Sequence, residues 1–174
     1  MNNNLLIVGA GVYAVVAYEI AVDMGCFERI AFVDDAKEST PTGSDVIGKI
    51  NDIANLSSEY NQIIVAIGNP EIRMSLLEKI KNETPCVIVT LVSPKAYVSP
   101  TAQVCDGCII EPMAVVHTGC VIGEGCIISA GAVVNHASEC CSGVHIDCNA
   151  TVAGYSVVPE NVKVHSSAVY ESKK

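Results

Sequence analysis

From Val92 onward, one residue in every six is aliphatic and nearly always branched at Cβ. The series runs Val92, Val98, Val104, Ile110, Val116, Ile122, Ile128, Val134, Cys140, Ile146, Val152, Val158 and Val164, so twelve of thirteen are Val or Ile. Four residues after each comes a second series: Ala96, Ala102, Cys108, Ala114, Cys120, Cys126, Ala132, Ser138, Val144, Ala150, Ser156, Val162 and Ala168. Eleven of these thirteen are Ala, Cys or Ser. A helix repeats every 3.6 residues and a strand every two, so neither produces a period of six. A three-sided solenoid does. The aliphatic residue points inward from a short flat strand, the small residue sits at a corner with little room, and Gly, Asn or Asp near the turns tolerates unusual dihedrals. Three hexads close a coil of about 18 residues, so side chains 18 apart stack. With coils about 4.8 Å apart, the stretch from Val92 to Val169 makes a prism roughly 20 Å tall.

Composition agrees with thin stacked layers. Half of the 174 residues are hydrophobic, yet there is no Trp, with two Phe and six Tyr. The interior must therefore come from Val, Ile, Ala, Cys and Gly. Nine cysteines raise the question of metal, and Cys105-x-x-Cys108 has the spacing of half a zinc site. The repeat register favours the plainer reading, since Cys108, Cys120 and Cys126 fall where Ala is the alternative. The net charge of −9, with no cluster of Lys or Arg, argues against nucleic acid and against anionic membrane surfaces. The N-terminus lacks the basic start of a secretory signal, and its uncharged run from Leu5 to Tyr18 is too short to span a membrane. These features predict a cytoplasmic protein without membrane insertion.

Residues 1–91 follow a different rhythm. Leu5 to Val8 reads as a buried strand, followed by Gly9-Ala10-Gly11-Val12-Tyr13-Ala14 and a helix to about Met24. Strands follow at Ile30–Val33 and Ile63–Ile67, then a helix from Pro70 to about Lys81 and a last strand from Cys86 to Leu91. Alternating strands and helices imply a small parallel sheet, a Rossmann-like α/β domain over residues 1–91 ahead of a β-helix over residues 92–174. The Gly-x-Gly-x-x-Ala turn follows a strand and opens a helix, and Asp34-Asp35 ends the next strand. That context suits a nucleotide: glycines let the backbone approach a phosphate, and the acid takes sugar or base hydrogen bonds. A tight strand-to-helix turn can equally need Gly for geometry alone. A nicotinamide enzyme would need a catalytic domain next; a solenoid follows instead.

The repeat resembles that of hexapeptide-repeat proteins, which implies a left-handed parallel β-helix and a homotrimer. A short Rossmann-like domain fused to such repeats resembles the sugar acetyltransferases of bacterial glycan synthesis, the group with bacillosamine and perosamine N-acetyltransferases and sialic acid O-acetyltransferases. The points of likeness are Gly9-Ala10-Gly11, Asp34-Asp35, Ala66-Ile67-Gly68-Asn69, and Gly131-Ala132-Val133-Val134-Asn135-His136. The resemblance implies transfer of an acetyl group from acetyl-CoA to an amine or hydroxyl of a sugar, often nucleotide-linked. It implies His136 as general base, His145 as a contact for the acetyl group or cofactor, and Gly154 as a backbone N–H donor to the thioester carbonyl. It also implies a nucleotide-sugar site built from Gly9, Gly11, Tyr13, Asp34, Asp35 and Asn69. Relatives often carry an acid directly after the base; here that residue is Ala137 and the nearest carboxylate is Glu139, which we take as its partner. Relatives commonly have His where Tyr13 stands, and usually continue for several more coils.

The chemistry suits these residue types. An attacking amine or hydroxyl must lose a proton, and imidazole titrates near neutral pH. The developing oxyanion needs a fixed donor, which a backbone N–H on a rigid coil provides. His117 and His165 read as surface residues. The competing reading is a catalytically degenerate trimer that binds a nucleotide-sugar or serves as a scaffold. A zinc enzyme on this fold would need closely spaced histidines, and no His-x-x-x-x-His occurs; no metal ligand is assigned.

Overall fold

A computed structural model describes residues 3–172. The chain divides into two compact units, Met1–Leu91 and Val92–Lys174. Of the C-terminal tail, Lys173 and Lys174 lie outside the described residues.

The first unit is a five-stranded parallel sheet. Its central strand β1 (Asn4–Val8) is buried throughout, which is what a strand paired on both edges and covered on both faces requires of its sequence. It pairs with β2 (Arg29–Val33) and β4 (Gln62–Val65), while β3 (Val46–Gly48) and β5 (Val87–Ile88) form the edges. Helix α1 (Val12–Met24) joins β1 to β2 and α3 (Pro70–Glu83) joins β4 to β5. α1 stops at Gly25, whose φ of +64 turns the chain left-handed. Asn69 caps α3 by accepting from the Ile72 N–H at 3.0 Å, with Pro70 as its first residue.

Two features depart from the sequence reading. The segment between β2 and β4 holds β3, a 3₁₀ turn at Ile50–Asp52 and the short helix α2 (Ile53–Leu56). None of these is long enough to show a hydrophobic period. The expected strand over Cys86–Leu91 is two pairs, Val87–Ile88 and Leu91–Val92, the second of which begins the solenoid as β6.

The second unit is a left-handed parallel β-helix of two-residue strands, β6 (Leu91–Val92) to β19 (Val169–Tyr170). One sheet stacks Val98, Val116, Val134, Val152 and Tyr170; the next stacks Val104, Ile122, Cys140 and Val158; the third stacks Val92, Ile110, Ile128, Ile146 and Val164. Partners are 18 residues apart, as in Val116 and Val134. Ile110, Val116, Ile122, Ile128, Val134, Ile146, Val152 and Val158 are fully buried. Burying such a side chain contributes about 1.5–3 kcal/mol each, and the stack repeats this layer by layer.

The corners carry a third period of six. Residues 107, 113, 119, 125, 131, 137, 143, 149, 155, 161 and 167 all have positive φ. Most are Gly or Asn, but Met113, Ala137, Tyr155 and Ser167 also adopt this conformation. A left-handed φ costs an ordinary residue roughly 1–2 kcal/mol. The small-residue series lies just inside these corners, where Cys108, Cys120 and Cys126 donate their thiols to Gly123, Asn135 and Cys141 carbonyls of the next coil at 3.0–3.1 Å.

Candidate active site

His136 stands at the corner between β13 (Val133–Val134) and β14 (Glu139–Cys140). The turn places Asn135 directly before it, and Asn135 Oδ1 lies 2.8 Å from the His136 N–H and 2.8 Å from His136 Nδ1. Coil stacking sets the other walls. Gly154, 18 residues on, lies against the imidazole, so that a Cβ there would approach Nε2 to 3.0 Å and Cε1 to 3.2 Å. Only glycine lets the ring rest so close to the backbone. The Tyr155 ring meets the imidazole edge-on, with centroids 5.1 Å apart at 87°.

The Gly154 N–H donates to none of the described residues. At two equivalent corners the amide is capped by the side chain just before it. Asn135 accepts from His136 N–H, and Asp147 accepts from Cys148 N–H at 2.9 Å. Before Gly154 stands Ala153, which has no acceptor. The half-buried Gly154, with its N–H uncapped, thus lies against the Nε2 edge of the imidazole.

His145 is elsewhere. It belongs to β15 (His145–Ile146), in the sheet opposite the His136 corner, because nine residues is half of an 18-residue coil. Its side chain is buried, with 6% exposure, and Nε2 lies 3.1 Å from Ser129 Oγ. Glu139 lies on the strand after His136 with its carboxylate 4.0 Å from Cys141 Sγ; the atom facing His136 Nδ1 comes from Asn135. His117, one coil before Asn135, is half-buried at the same corner, while His165 is exposed.

In the first unit, the candidate residues are engaged with their own backbone. Gly9, with φ +110, donates to Val33 O at 2.8 Å, and a Cβ on it would meet Ala66 O at 3.1 Å. Gly11 is the N-cap of α1, and Tyr13 lies half-buried on its first turn. Asp34 ties the turn together: Oδ2 accepts from Ala10 N–H at 2.8 Å, and Oδ1 accepts from Ala36 and Lys37 N–H at 2.8 and 2.9 Å. Burial raises the affinity of this carboxyl for a proton, but the three N–H donors and the Lys37 charge outweigh it, so its pKa is lowered. Asp35 Oδ1 accepts from Ile50 N–H at 2.9 Å, and Asn69 caps α3. Two cations escaped sequence reading because their roles depend on loop geometry. Lys37 Nζ reaches Ala10 O at 3.3 Å, and the fully buried Arg73 donates to the Ile67 and Gly68 carbonyls at 2.8 and 3.1 Å.

The thiols do not gather around a metal position. Cys108 is inside the prism while Cys105 is exposed, so the two face different surroundings. Among the described residues no group of three His, Cys, Asp or Glu converges, and no helix is long and apolar enough to cross a membrane.

Known proteins resemble this chain along nearly its whole length. The PglD N-terminal domain matches residues 4–80 and the bacterial transferase hexapeptide (six repeats) matches residues 90–136. The acetyltransferase domain of PglB from Neisseria gonorrhoeae FA1090 is 32% identical, with 97% of this chain and 82% of that chain covered and a TM-score of 0.91. The same domain in complex with acetyl coenzyme A aligns at 25% identity over 97% of this chain and 98% of that one, with a TM-score of 0.71. PerB from Caulobacter crescentus, in complex with CoA and GDP-perosamine, shares the fold at 20% identity, covering 95% and 92% of the two chains with a TM-score of 0.64. No curated protein gives a significant match.

Proposed function

Because the chain belongs to the hexapeptide-repeat sugar acetyltransferase family, we propose that it moves an acetyl group from acetyl-CoA to an amine or hydroxyl of a nucleotide-linked sugar, in the cytoplasm, as a step of bacterial glycan synthesis. The observation that carries this reading is the stacking of His136 on Gly154, which sets an imidazole nitrogen against a glycine whose N–H is uncapped. His136 Nε2 takes the proton from the attacking amine or hydroxyl as its lone pair forms the new bond to the acetyl carbon. Gly154 N–H stabilises the oxyanion of the tetrahedral intermediate. When that intermediate collapses, the C–S bond breaks and His136 returns the proton to the departing thiolate. No cysteine need act as nucleophile.

The glycine turn at Gly9 and Gly11, with Tyr13, Asp34, Asp35 and Asn69, is our candidate for holding the nucleotide-sugar. Its polar atoms already brace the turn, so ligand contacts there would fall to backbone groups and remaining lone pairs. His145 is half a coil from His136, so one protomer cannot bring both to one acetyl group. A role for His145 at the cofactor therefore calls for a neighbouring protomer. A homotrimer fits the apolar outer face that carries Tyr97, Val115, Val133 and Val169, of which Tyr97 and Val169 are 57% and 70% exposed.

Thiol release from acetyl-CoA, followed with UDP-, GDP- and CMP-linked amino sugars and with sialic acid, tests the reading. One acceptor should support turnover, and His136→Ala should lower kcat/KM about a thousandfold while leaving the circular dichroism spectrum intact. No turnover with any acceptor and no heat of acetyl-CoA binding would favour the scaffold alternative.

A further inference from the structure

The two bonds to Asn135 Oδ1 fix more than the position of a ring. A backbone N–H can only donate, so the Asn135 atom facing the His136 N–H at 2.8 Å is the carbonyl oxygen, not the NH2. The same oxygen faces His136 Nδ1 at 2.8 Å, and an amide oxygen can only accept. Nδ1 must therefore carry a hydrogen. A neutral imidazole has one N–H, which leaves Nε2 with a lone pair on the edge that lies against Gly154.

We propose that Asn135 is the positioning residue for His136: its side-chain oxygen selects the Nδ1–H tautomer, and it does so without a negative charge. This rests on the reading of His136 as the base. The charge matters because a carboxylate in that place would stabilise the imidazolium and hold the base protonated to higher pH. Among the described residues no carboxylate lies at contact distance from the ring. On the same coil, Ala137 follows the base and the Glu139 carboxylate lies at Cys141 Sγ. From the coil before, the titratable groups at this corner are His117 and Cys120, whose thiol donates to the Asn135 carbonyl at 3.0 Å; from the coil after, it is Tyr155, whose ring meets the imidazole by its edge. An amide partner thus orients the ring without placing a charge beside it.

Nitrogen-15 NMR of the His136 ring, assigned by its loss in His136→Ala, reads the tautomer without any turnover. Neutral wild-type protein should show Nδ1–H, and Asn135→Ala should shift the population toward a mixture. Asn135→Asp should raise the midpoint of His136 titration and the acid limb of kcat/KM together by about one pH unit. Asn135→Ala should lower kcat about tenfold or more while the KM for acetyl-CoA stays within about twofold. An Nε2–H tautomer in the wild type, or an aspartate variant whose His136 titration does not move, overturns the proposal. Retained activity in His136→Ala would instead sink the assignment of the base, and the NMR result would stand apart from it.

Discussion

The two units treat their polar residues differently. In the parallel-sheet unit, the residues that look like a nucleotide fingerprint are consumed by local structure: Asp34 holds three backbone N–H groups, Asp35 holds one, and Asn69 caps a helix. In the β-helix, strand amides pair with the next coil, and most inward positions are aliphatic. At one of its corners an imidazole nitrogen lies against the backbone of Gly154, whose N–H has no partner among the described residues. A sequence motif marks where a ligand can approach; the geometry shows which groups still have bonds to give. That contrast predicts that substitutions in the first unit act mainly through folding, and those at the His136 corner mainly through turnover.

Gly154→Ala tests the corner most severely after removal of His136 itself. The added methyl would arrive 3.0 Å from Nε2 and must push the ring away, since the backbone beneath is fixed by stacked coils. A displacement of about 1 Å in a base costs on the order of a hundredfold in rate. We expect a kcat loss of that size with a thermal midpoint lowered by only a few degrees. Unchanged kcat would mean that the proton leaves by another group.

In the first unit, Asp34→Ala should act on stability. One part-buried and two exposed backbone donors lose their acceptor, which costs about 1–2 kcal/mol. Chemical denaturation at neutral pH measures it. Because the carboxyl's proton affinity is lowered in the folded state, the wild type holds this advantage above the ordinary carboxylate pKa and loses it as pH falls through the depressed value. A variant with unaltered stability but a large rise in KM for the nucleotide-sugar would reverse the comparison.

The six-residue periods made the solenoid legible, because each coil repeats one pattern of burial and the inward residue always falls at the same phase. The corner chemistry was legible only in part. His136 and Gly154 are 18 apart, so their contact follows from the repeat. Asn135 as the Nδ1 partner does not, since that contact depends on corner dihedrals rather than on stacking. The same arithmetic that joins His136 to Gly154 separates it from His145, and Glu139 already lies on the next face. In the first unit, β3 and α2 were hidden because three- and four-residue elements are set by edge pairing and loop bonds, not by an apolar period. Ile109 and Ile127 point outward yet are fully buried, a fact that the inward register alone does not foresee.

Strain at the corners gives a finer test. Met113 and Tyr155 are both large, exposed and held at positive φ, but only Tyr155 has its ring against His136. Met113→Gly should stabilise the protein by about 1 kcal/mol by relieving the left-handed backbone, with turnover unchanged. Tyr155→Gly gains the same relief but loses a ring contact worth about as much, so its stability should barely move while kcat falls several-fold. Equal behaviour of the two variants in both assays would show that the ring contact does nothing for the base.

The smallest expected effect asks whether the contrast belongs to the units or to the bonding of each group. Asp147 is in the β-helix, yet it resembles Asp34: it accepts from Cys148 N–H and pairs with Lys163, with Nζ at 3.0 Å. Burial pushes its carboxyl up, but these partners outweigh that and hold its pKa at about 2, below the ordinary 3.8. A group depressed in this way contributes stability above about pH 4 and loses it as pH falls toward 2. The side chains are 22% and 40% exposed, so solvent screening leaves about 1 kcal/mol or less. Asp147→Asn should therefore be less stable than wild type by that amount at pH 7, equal to it near pH 2, and unaltered in turnover throughout. If turnover fell while stability held, commitment to the fold would not predict function even within one unit, and the distinction between bonded and free groups would lose its force.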